Sequence, residues 1–276
     1  MKLLWAALAF AGFAQAQVQP QPLTIEGAAT HVYKKVGDVE LRLHVFAPAT
    51  LATAPRPAIV FFFGGGWRTG NVLQFVPQSK YLAERGMVAI VADYRVFDRH
   101  GTTPLDAIAD GKSAMRWVRS HARELGVDPG RIAAGGGSSG GHLAASTAVL
   151  DGFDQAGEDL KTSSKPNALV LFNPAVDTSA GQIQERFLGK GRDASPVHHL
   201  RKGVPPTVIF HGKADQTVPY EQVERFCSES QKLGNQCQLF GYEGATHGFF
   251  NAGKWRDETV REMDRFLTSL GYIPAR

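Results

Sequence analysis

Cysteine is scarce in this chain: Cys227 and Cys237 are the only two among 276 residues. Two cysteines exclude a disulfide-dense scaffold, and the pair lacks the spacing of a zinc site. Neither stands in a motif with His and an acid, so a catalytic thiol is not expected. Basic residues do not gather into a stripe and the net charge is only +4, so no nucleic-acid partner is expected. Long uncharged apolar runs are absent beyond the N-terminus, which argues against stable membrane insertion. Internal repeats and low-complexity linkers are also missing after Pro22.

The first residues read as a secretory leader. Met1-Lys2 is a short positive start, Leu3 to Ala14 is an apolar run broken by Gly12, and Ala14-Gln15-Ala16 is a small-x-small cleavage signature. Cleavage is expected after Ala16, which implies a secreted or periplasmic protein. The run is too short to span a bilayer. In an oxidising compartment Cys227 and Cys237 are expected to pair, the alternative being two buried thiols. Residues 17–30 form a loose leader, and residues 31–276 form one domain of a size common for α/β folds. The 43% hydrophobic content and 17 Phe fit a globular core.

The periodicity predicts an α/β protein. Val32 to Phe46 alternates around Gly37-Asp38, as an antiparallel hairpin does. Ala58 to Phe63, Met87 to Ala92, Arg131 to Ala134, Leu169 to Phe172, Thr207 to Phe210 and Gln238 to Tyr242 are short apolar runs with helical segments between them. Near-continuous apolar strands of this kind predict a mostly parallel sheet with helices on both faces. Thr103-Pro104-Leu105-Asp106 is a helix start, with a cap residue, proline at the first helical position and an acid three residues on. Leu105, Ile108, Met115, Val118, Ala122 and Leu125 then make one stripe, ended by Gly126 and Pro129. Val260, Met263, Leu267 and Leu270 make another. Residues 173–206, rich in Pro, Gly and mixed charge, predict an irregular, lid-like insertion.

Four features at strand ends carry chemistry. A serine hydrolase needs a Ser on a sharp turn, a His base, an acid to orient it, and donors for an oxyanion. Gly135-Gly136-Gly137-Ser138-Ser139-Gly140-Gly141 follows one strand and precedes the helical Leu143 to Leu150. Strand-to-helix elbows tolerate only small residues two positions either side of the nucleophile. Two frames satisfy that rule, one centred on Ser138 and one on Ser139, and spacing does not choose between them. Phe63-Gly64-Gly65-Gly66-Trp67, after another strand, can turn backbone N–H groups toward a ligand. Asp215 and His247 follow the last two strands, which gives the chain order Ser, Asp, His. Singly, each feature has a bland reading: a flexible loop, a helix cap, a solvated His. Their conjunction at the C-terminal ends of the strands is what points to catalysis.

The set resembles the esterase/lipase branch of the α/β-hydrolases, closest to bacterial feruloyl and acetyl xylan esterase-like and hormone-sensitive-lipase-like enzymes. The resemblance rests on Phe62-Phe63-Gly64-Gly65-Gly66-Trp67, Ala92-Asp93-Tyr94-Arg95, Gly136 to Ala144, Pro205-Pro206 with His211-Gly212 and Asp215, and Gly244-Ala245-Thr246-His247-Gly248-Phe249. It implies an eight-stranded α/β-hydrolase fold with a small lid. It aligns Ser138 with the nucleophile and makes the Ser139 N–H an oxyanion donor beside Gly65 and Gly66. Many relatives have His before the three glycines where this chain has Phe63.

The implied reaction is acyl transfer through Ser138, with His247 as base and Asp215 orienting it. It needs neither metal nor organic cofactor. The expected partner is a small-molecule or polysaccharide-linked ester, such as an acetyl or feruloyl ester; the sequence does not specify an oligomeric state. Trp67 and Phe249 are candidate pocket residues. Asp93 and Arg95 are expected to brace loops, His142 to pack below the nucleophile, and His198 and His199 to lie in the lid or surface rather than bind metal. Two alternatives are a serine peptidase of the prolyl-oligopeptidase type, which usually carries a propeller domain, and a non-catalytic binding protein on the same scaffold.

Overall fold

The computed structural model describes residues 20–50 and 54–276. The secretory leader and its cleavage position fall outside the described residues. The eight expected strands form one sheet in the order β1-β2-β4-β3-β5-β6-β7-β8. β1 (Ala29–Val36) and β2 (Val39–Phe46) make the hairpin, and β2 pairs antiparallel with β4 (Val88–Ala92). β3 (Arg56–Phe62), β5 (Val127–Gly137), β6 (Ala168–Phe172), β7 (Thr207–Gly212) and β8 (Cys237–Tyr242) continue the sheet in parallel.

Helices cover both faces, and two adjacent side chains of β3 show how. Successive side chains of a strand point to opposite faces. Phe61 stacks on Phe75, at 4.9 Å between ring centres, immediately before α1 (Val76–Glu84). Phe62 points the other way and lies 3.7 Å from the Cβ position of Gly111, in α3 (Pro104–Ser120). α4 (Ser139–Val149) packs beside α3 on that second face, with Thr147 and Leu143 against the same glycine. α6 (Gly253–Ser269) joins α1 through Asp264, which accepts from Tyr81 and Arg85. A four-residue helix, α2 (Phe97–His100), precedes α3, and α5 (Tyr220–Lys232) lies between β7 and β8.

α3 starts where the capping signature predicts, with the Asp106 carboxylate accepting from the Thr103 N–H at 2.9 Å. It ends at Ser120, earlier than Gly126 and Pro129 imply. His121 to Leu125 continue as hydrogen-bonded turns, and Ala122 and Leu125 still reach the core from there. The apolar stripe therefore outlasts the regular helix.

The polar residues expected to brace loops do so. Asp93 accepts both Arg99 guanidinium nitrogens, at 2.7 and 3.1 Å, and the Tyr94 N–H at 2.8 Å. Arg95 grips the buried Asp110 carboxylate with Nε and Nη2, each at 2.8 Å, while Lys34 reaches the same carboxylate at 2.7 Å. The ion cluster ties β1 and the loop after β4 to α3. Cys227 in α5 and Cys237 at the start of β8 are joined by a disulfide, with their Cα atoms 5.5 Å apart. Among the described residues no helix is long and apolar enough to cross a membrane.

Candidate active site

The glycine run becomes a strand-to-helix elbow because backbone crowds it on every side. β5 ends at Gly137, Ser138 follows with φ 53° and ψ −118°, and α4 begins at Ser139. A Cβ on Gly136 would lie 2.5 Å from the Gly140 carbonyl oxygen, and one on Gly140 would lie 2.1 Å from the Phe62 oxygen. No side chain fits at either position, which is the steric content of the glycine spacing. The strained Ser138 backbone is held from both ends. Its N–H donates to the Phe172 carbonyl at 2.9 Å, and its carbonyl accepts from His142 and Ala175.

Three expected residues meet at this elbow. His247 Nε2 lies 3.0 Å from Ser138 Oγ, and His247 Nδ1 lies 2.7 Å from Asp215 Oδ2. A carboxylate only accepts, so Nδ1 carries the proton and Nε2 presents a lone pair to the serine hydroxyl. Asp215 is itself fixed: its other oxygen accepts the Thr217 and Val218 N–H groups at 2.8 and 3.0 Å. Its side chain is fully buried, whereas that of His247 is 26% exposed. Ser139, the other serine of the run, is buried beneath the elbow, away from His247.

The loops carrying Asp215 and His247 are stitched together. Gly212 lies so close to Ala245 that a Cβ would sit 2.2 Å from the Ala245 oxygen, and Ala214 donates to that same oxygen at 3.0 Å. His211 lies 3.3 Å from Asp215 Oδ2 and donates through Nε2 to the Val218 carbonyl at 2.9 Å. Burial lowers its pKa and keeps the ring neutral.

The glycine loop after β3 faces the elbow, with the Cβ position of Gly64 only 3.3 Å from Ser138 Cβ. Gly64 spends its N–H on Gln74 Oε1 at 2.6 Å. The N–H groups of Gly65 and Gly66 have no acceptor among the described residues. Gly65 adopts φ 141°, where an added Cβ would strike the Thr69 carbonyl at 2.2 Å. Its own carbonyl accepts from Arg68 and Thr69, each at 3.1 Å, which locks the peptide bearing the Gly66 N–H. The Ser139 N–H stands at the first position of α4, where the helix dipole favours negative charge.

His142 lies below the elbow, as expected. Its Nε2 donates to the Ala194 carbonyl at 2.8 Å, and burial pushes its pKa down to about 4. Trp67 packs edge-on against both His142 and Phe187, at 5.1 and 5.2 Å. Segment 173–206 is irregular apart from 3₁₀ turns at Gly181–Phe187 and Pro196–His199. From it Arg186 reaches the Gly66 carbonyl at 3.2 Å. A cavity of about 240 Å³ opens there, with Gly66, Trp67, Phe97, Pro104, Arg186 and Leu188 among its lining residues. Phe249 does not line it and packs against Tyr242 and Trp255 instead. His198 bonds Ser179 Oγ at 3.0 Å, and no cluster of three metal-ligating side chains occurs among the described residues.

Sequence reasoning gave no role to Gln74, Asn251 or Arg186. Their polar contacts, Gln74 to Gly64 and to Asn251, and Arg186 to Gly66, are made from short turns and leave no periodic trace.

The chain is similar to known esterases. Residues 43–229 match the family described as BD-FAE. A probable carboxylic ester hydrolase of Mycobacterium tuberculosis, LipM, is 32% identical over 79% of this chain and 55% of its own length. An acetylxylan esterase of Xylanibacter ruminicola is 26% identical over 77% of this chain and 45% of its own. The chain thus spans about half the length of the curated relatives it matches. Esterase 2 of Thermogutta terrifontis, in a structure phosphoramylated by tabun, superposes with a TM-score of 0.88 at 48% identity, covering 91% of this chain and 97% of that one. Its propionate-bound structure superposes with a TM-score of 0.87 at 46% identity over the same shares. The fold is the α/β-hydrolase fold.

Proposed function

The chain belongs to the BD-FAE family of α/β-hydrolase esterases, and from that premise we propose that it is a serine carboxylic ester hydrolase acting through Ser138, His247 and Asp215. One observation carries the reading: the unbroken line Ser138 Oγ to His247 to Asp215, at 3.0 and 2.7 Å. His247 Nε2 takes the serine proton as Oγ attacks the ester carbonyl carbon. Asp215 balances the imidazolium that forms. The developing oxyanion falls to the N–H groups of Gly65, Gly66 and Ser139. His247 then returns the proton to the leaving alkoxide, the alcohol departs, and water activated by the same base releases the acid.

The preferred substrates in this reading are short-chain or carbohydrate-linked esters, such as acetyl or feruloyl esters. Support comes from the compact cavity beside Gly66, from the acetylxylan esterase among the relatives and from the propionate-bound esterase among the structural neighbours. Residues 173–206 act as a small lid over the domain formed by residues 31–276, with Arg186 at its contact with the glycine loop. The protein works in the periplasm or outside the cell, a placement supported by the composition of the leader and by the disulfide.

Hydrolysis of p-nitrophenyl acetate, longer acyl esters, methyl ferulate and acetylated xylan, beside a peptide p-nitroanilide, tests the proposal. Ester cleavage without amide cleavage is expected. Ser138→Ala should lower kcat by roughly 10⁴-fold or more, and Ser139→Ala should remain active. Absent ester hydrolysis by the wild type overturns the activity, and full activity in Ser138→Ala overturns the nucleophile.

A further inference from the structure

The oxyanion loop and the histidine loop come from distant parts of the chain, yet two side-chain amides join them. Gly64 donates its N–H to Gln74 Oε1 at 2.6 Å. Gln74 Nε2 donates to Asn251 Oδ1 at 3.1 Å, across 177 positions of sequence. Asn251 Nδ2 donates to the carbonyl of Gly248, the residue after His247, at 2.8 Å. The line runs from the backbone that precedes the two unengaged glycine N–H groups to the backbone that carries the base.

Each link is directional. Gln74 uses its oxygen on one loop and its nitrogen on the other, and Asn251 does the same, so a substitution at either breaks the span. The neighbouring rings of Phe75 and Phe250 also stack, at 5.6 Å between centres, and the two loops are otherwise held by different elements. The glycine loop extends from β3 and is fastened near its far end by Gln21, which bonds the Gly70 carbonyl and the Val72 N–H at 2.8 and 3.0 Å. The histidine loop extends from β8 and is fastened to the Asp215 loop. Gln74 and Asn251 supply a direct polar tie between the two.

We infer that Gln74 and Asn251 are positioning residues that set the distance between the oxyanion donors and the His247 base. The inference rests on the proposed ester hydrolysis at Ser138. Acyl transfer needs both groups in register at once: the base when Oγ attacks and the donors as negative charge grows on the carbonyl oxygen. A tie of this kind acts on the transition state and leaves ground-state binding and folding little changed. Asn251 is exposed and Gln74 is only half-buried, so their hydrogen bonds add little to stability.

Gln74→Met, Asn251→Ala and their double variant test this with p-nitrophenyl acetate. Each single variant is expected to lower kcat between roughly fivefold and a hundredfold, with KM within about twofold and the melting temperature within about 2 °C. Because both residues belong to one span, the double variant should be no slower than the slower single variant. Affinity for a trifluoromethyl ketone, which forms a tetrahedral adduct, should fall in parallel with kcat/KM. Asn251→Asp, which can accept from Gln74 but cannot donate to Gly248, should behave like Asn251→Ala. Unchanged kcat in the single variants, losses that multiply in the double, or a kcat loss matched by a fall in melting temperature overturns the inference. If the wild type is active and Ser138→Ala is dead, such results leave the proposed hydrolysis standing; an inactive wild type defeats that reading itself.

Discussion

Tyr94 Oη donates to the carbonyl of Phe63 at 2.7 Å, and its ring stacks on the Phe63 ring at 4.1 Å between centres. Phe63 stands where many relatives carry His, immediately before the three glycines. The stack gives that position an apolar role: the ring is clamped while its carbonyl is held by the tyrosine clamping it. Both side chains are buried, and burial drives the Tyr94 pKa well above its ordinary value, so the hydroxyl keeps its proton and donates.

Tyr94→Phe therefore keeps the stack and orphans one buried carbonyl. Removing one partner of a buried hydrogen bond costs about 1–3 kcal/mol. The variant should lose that much unfolding free energy, seen as a lower urea midpoint with an unchanged m-value. Its kcat should fall severalfold, because the freed carbonyl begins the loop that bears the proposed donors. Unaltered stability would show that the hydroxyl contributes nothing net.

The cavity beside Gly66 makes a different prediction. Phe97 is 51% exposed and Leu188 is 68% exposed, so two large apolar side chains face solvent across one lining. Exposed apolar surface of this kind commonly marks a ligand contact. Phe97→Ala and Leu188→Ala should raise KM for p-nitrophenyl hexanoate or methyl ferulate several times more than for p-nitrophenyl acetate. Stability should change little, since neither side chain belongs to the hydrophobic core and Phe97 is covered on one face only by the Arg68 guanidinium. Equal effects on long and short esters would exclude the cavity from substrate binding.

The fold was legible because its signals are local. The β3 run Ala58 to Phe63 and the capping box at Thr103 and Asp106 each report their own structure through periodicity or a short-range hydrogen bond. Ser138, Asp215 and His247 were legible because a parallel sheet brings its strand ends together, so three loops far apart in sequence share one edge. What stayed hidden depends on side chains meeting across the fold. α3 ends at Ser120 although the apolar stripe continues through Leu125, so the stripe does not encode where the regular helix stops. Gln74 meets Asn251 across 177 positions and Arg186 meets Gly66 across 120, and no short window of sequence contains both partners.

The disulfide should stabilise without assisting the chemistry. Closing so short a loop restricts the unfolded chain by about 3 kcal/mol in the loop-entropy picture. Cys227 and Cys237 tie α5 to the start of β8, whereas His247 follows the far end of that strand. Cys227→Ser with Cys237→Ser, or reduction of the wild type, should lower the melting temperature while kcat at 25 °C stays within about twofold. A large fall in kcat at a temperature where the variant remains folded would mean that the bridge also sets the histidine loop.

His142 should make the protein acid-sensitive. Its ring is fully buried between Trp67, Phe187 and α4, its Nδ1 has no partner among the described residues, and burial holds its pKa at about 4. In the unfolded chain it titrates near 6.5. Between those values the unfolded state binds a proton that the folded state refuses, so stability falls as pH drops. It is undiminished above about 6.5 and lower by about 3 kcal/mol on reaching about 4. His44, His100, His198 and His211, whose pKa values burial also lowers, act in the same direction. His142→Gln keeps a donor for the Ala194 carbonyl but cannot titrate. Urea unfolding at pH 7.5 and pH 5 should therefore show a smaller gap in His142→Gln than in the wild type, with the residual slope left to the other histidines. An equal gap in both proteins would mean that the His142 ring accepts its proton in the folded state.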